Sequence, residues 1–197
     1  MNYPECVEID GEKYKINTDF RVAIKCNEIA LDTTIDDEER ALAIIYKLYG
    51  EKGIKNVNKY DELLEYGKKY LSCGKELKKD IEEPDMDYVE DMDYIEASFM
   101  SDYQIDLANT TMHWWKFNNL IGGLSNSEMG NCCVLNRIRN LRNYDLKDIK
   151  DIKERNKILK AKEMVALKRN KTPKKQPTEE QKQNAKEFLN ALGYGGD

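Results

Sequence analysis

Five cysteines, one histidine and a block of carboxylates are the residues of this chain that could do chemistry. The thiols are Cys6, Cys26, Cys73, Cys132 and Cys133, and the imidazole is His113. A thiol beside an imidazole makes an activated nucleophile, because the ring can take its proton. His113, however, adjoins Trp114 and Trp115, which points to a hydrogen-bonded structural histidine, and Cys132-Cys133 lies inside an apolar helical pattern, which points to packing. The cysteines are odd in number, irregularly spaced and free of any C-x-x-C, so reduced thiols are expected rather than a disulfide framework or a zinc site. Asp85, Asp87, Glu90, Asp91 and Asp93 are spaced densely enough to suggest a calcium loop, but the mid-loop glycine and the distal glutamate of that motif are missing. Their expected role is a solvated acidic face that favours a helix N-terminus. No phosphate-binding glycine loop, dinucleotide fingerprint or nucleophile elbow occurs. The chain is therefore expected not to be an enzyme, with no metal and no other cofactor.

The elements that hold these residues are mostly helical by period. With 197 residues, 35% of them charged and 40% hydrophobic, the chain can bury one sizeable core with a small appendage. Val7 to Ile16 is a hairpin signal, two short alternating runs around Asp10-Gly11. Thr18 and Asp19 can cap a helix to Leu31 that is apolar on two sides: Phe20, Ala23, Ile24 and Leu31 on one, Val22, Cys26 and Ile29 on the other. A second helix opens on the acids after Ile35, carries Ala41, Ile44, Ile45 and Leu48, and ends at Gly50; a third runs from about Lys59 to Ser72, with Gly74 as its stop. Asp80 to Asp106 holds eleven Asp or Glu and no Lys or Arg, yet Tyr88, Met92, Ile95, Phe99 and Tyr103 keep helical spacing.

Met112 to Leu120 contains both tryptophans. On a helix, Trp114, Phe117, Leu120 and Ile121 share a face, with Trp115 roughly 100° away. Trp115 is thus either sandwiched between neighbours or offered to a partner. Ser125-Asn126-Ser127-Glu128 reads as the cap of the next helix, which carries Cys132, Val134, Leu135, Ile138 and Leu141. A long helix from Asp145 to about Leu167 follows, with Leu146, Ile149, Ile152, Leu159, Met164 and Leu167. From Lys147 to Lys175, twelve Lys or Arg stand against four Asp or Glu, so this half can oppose the acidic stretch or an acidic partner. Residues 168–177 form a polar, proline-broken linker, and residues 178–197 a short amphipathic helix and tail. Its face of Ala185, Phe188, Leu189 and Leu192 is too small to fold alone in water. The expected architecture is a mainly α domain over 1–167, with six to eight helices and a small N-terminal β-hairpin.

Net charge of −5 and a linker without interleaved aromatics give no reason to expect nucleic-acid binding. No apolar run is long enough for a membrane span and the N-terminus lacks the pattern of a signal peptide, so a cytoplasmic location is expected.

D-F-R-V at Asp19–Val22, E-I-A-L-D at Glu28–Asp32, D-Y-I-E-A-S-F at Asp93–Phe99, Y-Q-I-D-L at Tyr103–Leu107 and H-W-W-K-F at His113–Phe117 occur in that order. Together they resemble the bacteriophage "gp fifteen" protein family over about Val7 to Leu167. That resemblance implies a protein of the tail gene cluster of phages and prophages of Gram-positive bacteria, similar to tail assembly chaperones, acting in the cytoplasm of the bacterial host. The implied partner is the tape measure or another tail protein. A structural tail component, such as a connector or completion protein retained in the virion, is the alternative. The family supplies no catalytic residues to carry over. The candidate protein-binding residues are Trp115, Phe188, Leu189 and Leu192, and self-association into a homo-oligomer is open.

Overall fold

The computed structural model describes residues 3–76, 84–126, 132–147 and 149–168. The chain divides into two units, Met1–Val165 and Ala166–Asp197. Of the second, only residues 166–168 are described, so the expected C-terminal helix with Phe188, Leu189 and Leu192 lies outside the described residues.

Among its described residues, the unit Met1–Val165 is mainly helical with one two-stranded sheet. Strands β1 (Cys6–Ile9) and β2 (Glu12–Lys15) pair antiparallel, with Val7 opposite Tyr14 and Ile9 opposite Glu12. Asp10 (φ 49°) and Gly11 (φ 76°) turn the chain between them; both sit at the positive φ that a tight primed hairpin turn demands. An isolated hairpin is marginal in water. This one buries Val7, Ile9 and Tyr14 against the helices, and Lys52 Nζ donates to Lys13 O at 2.7 Å while pairing with Glu12 at 3.0 Å.

Seven α-helices follow among the described residues: α1 (Phe20–Leu31), α2 (Asp37–Lys55), α3 (Tyr60–Leu71), α4 (Met92–Tyr103), α5 (Trp114–Gly122), α6 (Val134–Asn143) and α7 (Ile152–Val165). Asp19 caps α1 by accepting from Arg21 N at 2.8 Å. Asp36 and Glu39 close a reciprocal capping box on α2. As its two-sided pattern requires, α1 is central: Phe20, Ala23, Ile24 and Cys26 are buried, and Val22 and Ile29 pack at the edge of the core. Leu31, expected on the inner face, is 63% exposed, because it stands in the last turn and the chain leaves the helix there.

Gly50 interrupts α2 without ending it. Its backbone adopts φ 67°, ψ −158°, after which helical structure resumes to Lys55. The break leaves Leu48 O without its intrahelical donor, and Asn17 N fills the place at 2.7 Å, tying the hairpin's exit to α2. That region of conformational space is essentially confined to glycine. Gly50→Ala would bring its Cβ within 4 Å of nothing, so the substitution isolates backbone strain. We expect a loss of about 1–3 kcal/mol, read as a lower urea midpoint at unchanged m. An unaltered midpoint would show that the backbone can relax.

The N-terminal half is stitched to a distant part of the chain. Phe20 N donates to Met112 O at 3.0 Å and Trp114 N to Thr18 O at 2.8 Å, around an Asp19–His113 bridge. The Arg21 guanidinium holds the loop before α5 through the carbonyls of Leu107, Ala108 and Thr110. Inside, Phe20, Phe117 and Phe99 stack in sequence, with centroid separations of 4.5 and 5.3 Å.

The later helices depart from expectation in three ways. Helix α6 starts at Val134 and is capped by Cys133, whose Sγ accepts from Asn136 N at 3.4 Å, rather than by the Ser125–Glu128 run. Ser125 N instead donates to Asp102 Oδ2 at 2.8 Å. The long basic helix begins only at Ile152, after turns at Asp145 and Asp151 that bond Lys147 N and Lys153 N. Its apolar residues do not form an inner stripe: Ile152 is 73% and Met164 86% exposed, and no residue of α7 is buried. The side facing α6 is made by Ile158, Ala161, Lys162 and Val165, which are half-buried.

The acidic stretch is not merely a solvated face. Asp91 is 1% exposed and meets Arg142, itself 10% exposed, through two bonds of 2.7 Å. Asp85 pairs with Arg139 at 3.2 Å and accepts from Asn143 at 2.9 Å. The partners of these acids are therefore two arginines of α6, not the basic run beginning at Lys147. Among the described residues, no helix is long and apolar enough to cross a membrane.

Candidate functional site

The chemically active side chains serve the fold. His113 Nδ1 accepts from Trp115 N at 3.0 Å as the N-cap of α5, and Nε2 lies 3.1 Å from Pro4 O. Those two bonds together require the neutral ring protonated on Nε2. Burial pushes the Cys26 thiol up to about 12 and the Cys73 thiol up to about 11, and it also raises Cys132. A thiol so placed stays protonated at neutral pH and is a poor nucleophile. All five cysteines are free.

The two tryptophans work as a clamp on α3. The last carbonyls of a helix lack intrahelical donors. Here Trp114 Nε1 donates to Leu71 O and Trp115 Nε1 to Tyr70 O, each at 2.9 Å. Just beyond, Cys73 (φ 56°) and Gly74 (φ 71°) turn the chain away, and Gly74 N returns to Lys69 O at 2.9 Å. A Cβ on Gly74 would lie 3.3 Å from the Trp115 ring, so a side chain there would press on the clamp. Trp114 is 1% exposed. Trp115 is half-buried, stacks on Tyr70 with centroids 6.2 Å apart and meets Tyr3 edge-on at 6.4 Å. Of the two alternatives open for Trp115, the structure shows its polar edge engaged inside the chain. Tyr70 keeps the one buried side-chain polar atom without a hydrogen-bond partner among the described residues, its hydroxyl.

The clamp fixes the wall of a groove. Helix α2 packs against both α1 and α3. Over it lies an open cleft of about 570 Å³ at the end where α1 and α3 finish and α2 begins. Ala41 and Ile44 come from α2, Ala30 from α1, and Leu64 and Leu71 from α3. Arg40 closes the adjoining loop by donating to Asp32 O and Ile35 O, at 2.7 and 2.9 Å. Lys68 stands at the rim with no side-chain partner among the described residues. The volume falls in the ~300–1,000 Å³ range of ligand clefts, and its lining suits apolar side chains presented by a helix.

Sequence reasoning placed Ala41 and Ile44 in a core stripe and Leu64 and Leu71 among the apolar residues of the third helix, and left Ala30 unassigned. One signal was present: alanine at positions 30 and 41, where the neighbouring pattern carries Ile and Leu, leaves room between packed helices.

The motifs singled out along the chain prove to be fold-holding. Asp19 caps α1 and Arg21 anchors the 107–110 loop. Ser98, fully buried, donates to Tyr94 O at 2.6 Å and accepts from Leu135 N at 3.0 Å, joining α4 to α6. Gln104 takes the left-handed cap of α4 (φ 56°) and Tyr103 OH reaches Leu120 O at 2.8 Å. A pattern kept for such contacts identifies a fold more securely than a chemistry. Comparison with curated proteins and with solved structures finds no match. A family model described as Bacteriophage Gp15 protein matches residues 2–167. Spanning the described helices and both strands, that match shows that the chain belongs to the Bacteriophage Gp15 protein family.

Proposed function

We propose that this protein is a phage or prophage tail assembly chaperone-like binding protein that acts without catalysis in the cytoplasm of the bacterial host. Its suggested client is the tape measure protein, or another tail protein, presenting an apolar helix stripe during assembly. The observation that carries this reading is the groove over α2, an open apolar cleft between three helices in a chain of the Bacteriophage Gp15 protein family. Apolar side chains spaced along a client helix would enter between Ala30, Ala41 and Leu64, with Lys68 placed to meet a flanking carboxylate. Trp115 does not line the groove; its bond to Tyr70 O holds the turn of α3 next to the lining residues Leu71 and Ser72.

The test is co-expression with the tape measure protein followed by a binding titration. Ala41→Arg puts a charged side chain into the cleft from a half-buried position. It is expected to weaken client binding at least tenfold, while the circular dichroism spectrum and melting temperature stay near those of the parent. Unchanged affinity would remove the groove from the binding site. Mass spectrometry of purified particles separates a chaperone, which leaves, from a structural tail component, which is retained.

A further inference from the structure

In the basic helix α7, Lys162 donates to Tyr144 O and lies close enough to Asp145 to act on its charge. Between Ile152 and Val165 the helix carries five Lys or Arg against two Glu. Lys153, Arg155, Lys157 and Lys160 make no side-chain hydrogen bond or ion pair among the described residues, and every residue from Ile152 to Lys157 is exposed. Ile152, 73% exposed, and Leu159, 43% exposed, stand one full heptad apart on the same side of the helix. A helix of this length is marginal in water without a packed face, and here the packed side is only half-buried.

A surface of the opposite sign lies on the same molecule. Glu8, Ile9, Asp10, Glu62, Glu65 and Tyr66 line an open cleft of about 440 Å³ between the hairpin and α3, with Lys69 as its single cation against four carboxylates. Asp10 is paired with Lys59, but Glu8, Glu62 and Glu65 have no partner among the described residues. Tyr66 offers an aromatic ring there, 46% exposed. Outside α7 the chain carries eight more negative than positive charges, against a whole-chain net of −5.

We propose that α7 of one copy docks on the Glu8–Glu62–Glu65 cleft of a second copy, with Ile152 and Leu159 against Tyr66 and the lysines against the carboxylates. This contact does not rest on client binding in the α2 groove, which uses other residues. The two surfaces differ, so the contact is heterologous: repeated, it closes into a ring or continues as an open chain. A nucleic acid is the less suitable occupant, because two apolar side chains stand among the cations and no aromatic ring does.

The full chain is examined by sedimentation velocity and light scattering over a concentration series at two ionic strengths. Species heavier than the monomer are expected at ~0.05 M salt and should dissociate towards ~1 M, where the Debye length shrinks to about 3 Å. Two triple variants, K153E/K157E/K160E and E8K/E62K/E65K, change only exposed side chains and should each self-associate at least tenfold more weakly. Mixed in equal amounts they present complementary surfaces again, and association should return. A parent chain that is monomeric throughout, variants that associate like the parent, or a mixture that stays monomeric would each overturn the proposal. So would tight binding of a labelled DNA duplex by a parent chain that does not self-associate.

Discussion

Arg142→Ala should remove about 3–5 kcal/mol of stability, a large part of the ~5–15 kcal/mol that holds a domain together. The guanidinium donates to both carboxylate oxygens of Asp91 at 2.7 Å, to Asp85 O at 2.8 Å and to Val165 O at 2.7 Å. One side chain thereby joins the approach to α4, helix α6 and the end of α7. Truncation leaves the Asp91 carboxylate, 1% exposed, without its cation. Arg142→Lys keeps the charge but cannot form the planar two-pronged bond, so most of the loss should remain. Asp91→Ala should be similarly damaging, and a double-mutant cycle should show coupling of about 0.5–3 kcal/mol. Urea denaturation monitored by circular dichroism measures all of these. A loss below ~1 kcal/mol for Arg142→Ala would mean that the pair behaves like an exposed one.

Trp114→Ala is expected to be comparably severe, at about 3–5 kcal/mol. The side chain is 1% exposed, lies 5.8 Å from the Phe117 ring centroid and 5.3 Å from that of Tyr88, and its N–H serves Leu71 O. Trp114→Phe separates the two contributions. It keeps much of the ring area but leaves Leu71 O without its donor, for a loss of about 1–3 kcal/mol. Equal effects of the two variants would mean that the hydrogen bond dominates over packing. A negligible effect of the phenylalanine variant would mean that water replaces the indole at the end of α3.

Local signals in the sequence were legible where a residue type dictates its own surroundings. Asp10-Gly11 turned out as the hairpin turn, Asp19 as a cap and Phe20 and Ala23 as an inner face, because each depends on a few neighbours. The Asp91–Arg142 pair was not legible. A tally of charges puts the basic half after Lys147, but the ion pairs form where two arginines three residues apart share one helix face, at positions 139 and 142. Nor was the outward turn of α7. Ile152, Leu159 and Met164 look like a stripe in a list, yet they lie on different sides of the axis from Ile158, Ala161 and Val165, and only the second set meets α6. Of the candidate binding residues, Trp115 was singled out for its ring, while the structure shows its N–H holding the end of α3. The groove that this end supports is assembled from α1, α2 and α3, so no single stretch of sequence displays it.

The ladder around Thr18–Phe20 and Met112–Trp114 also sets an order of events during synthesis. Phe20 is made some ninety residues before the carbonyl of Met112 that receives its amide proton. At ~5–20 residues per second that interval is about 5–20 s, long compared with the formation of any single helix. Throughout it the inner face of α1 has no Phe117 to stack on, and once α3 has been made Tyr70 and Leu71 have no indole to bond until Trp114 and Trp115 follow. The nascent chain thus presents an unfinished three-helix surface to the cell for seconds at a time, and the arrival of residues 112–117 at the end of the ribosomal tunnel is the moment at which that surface closes.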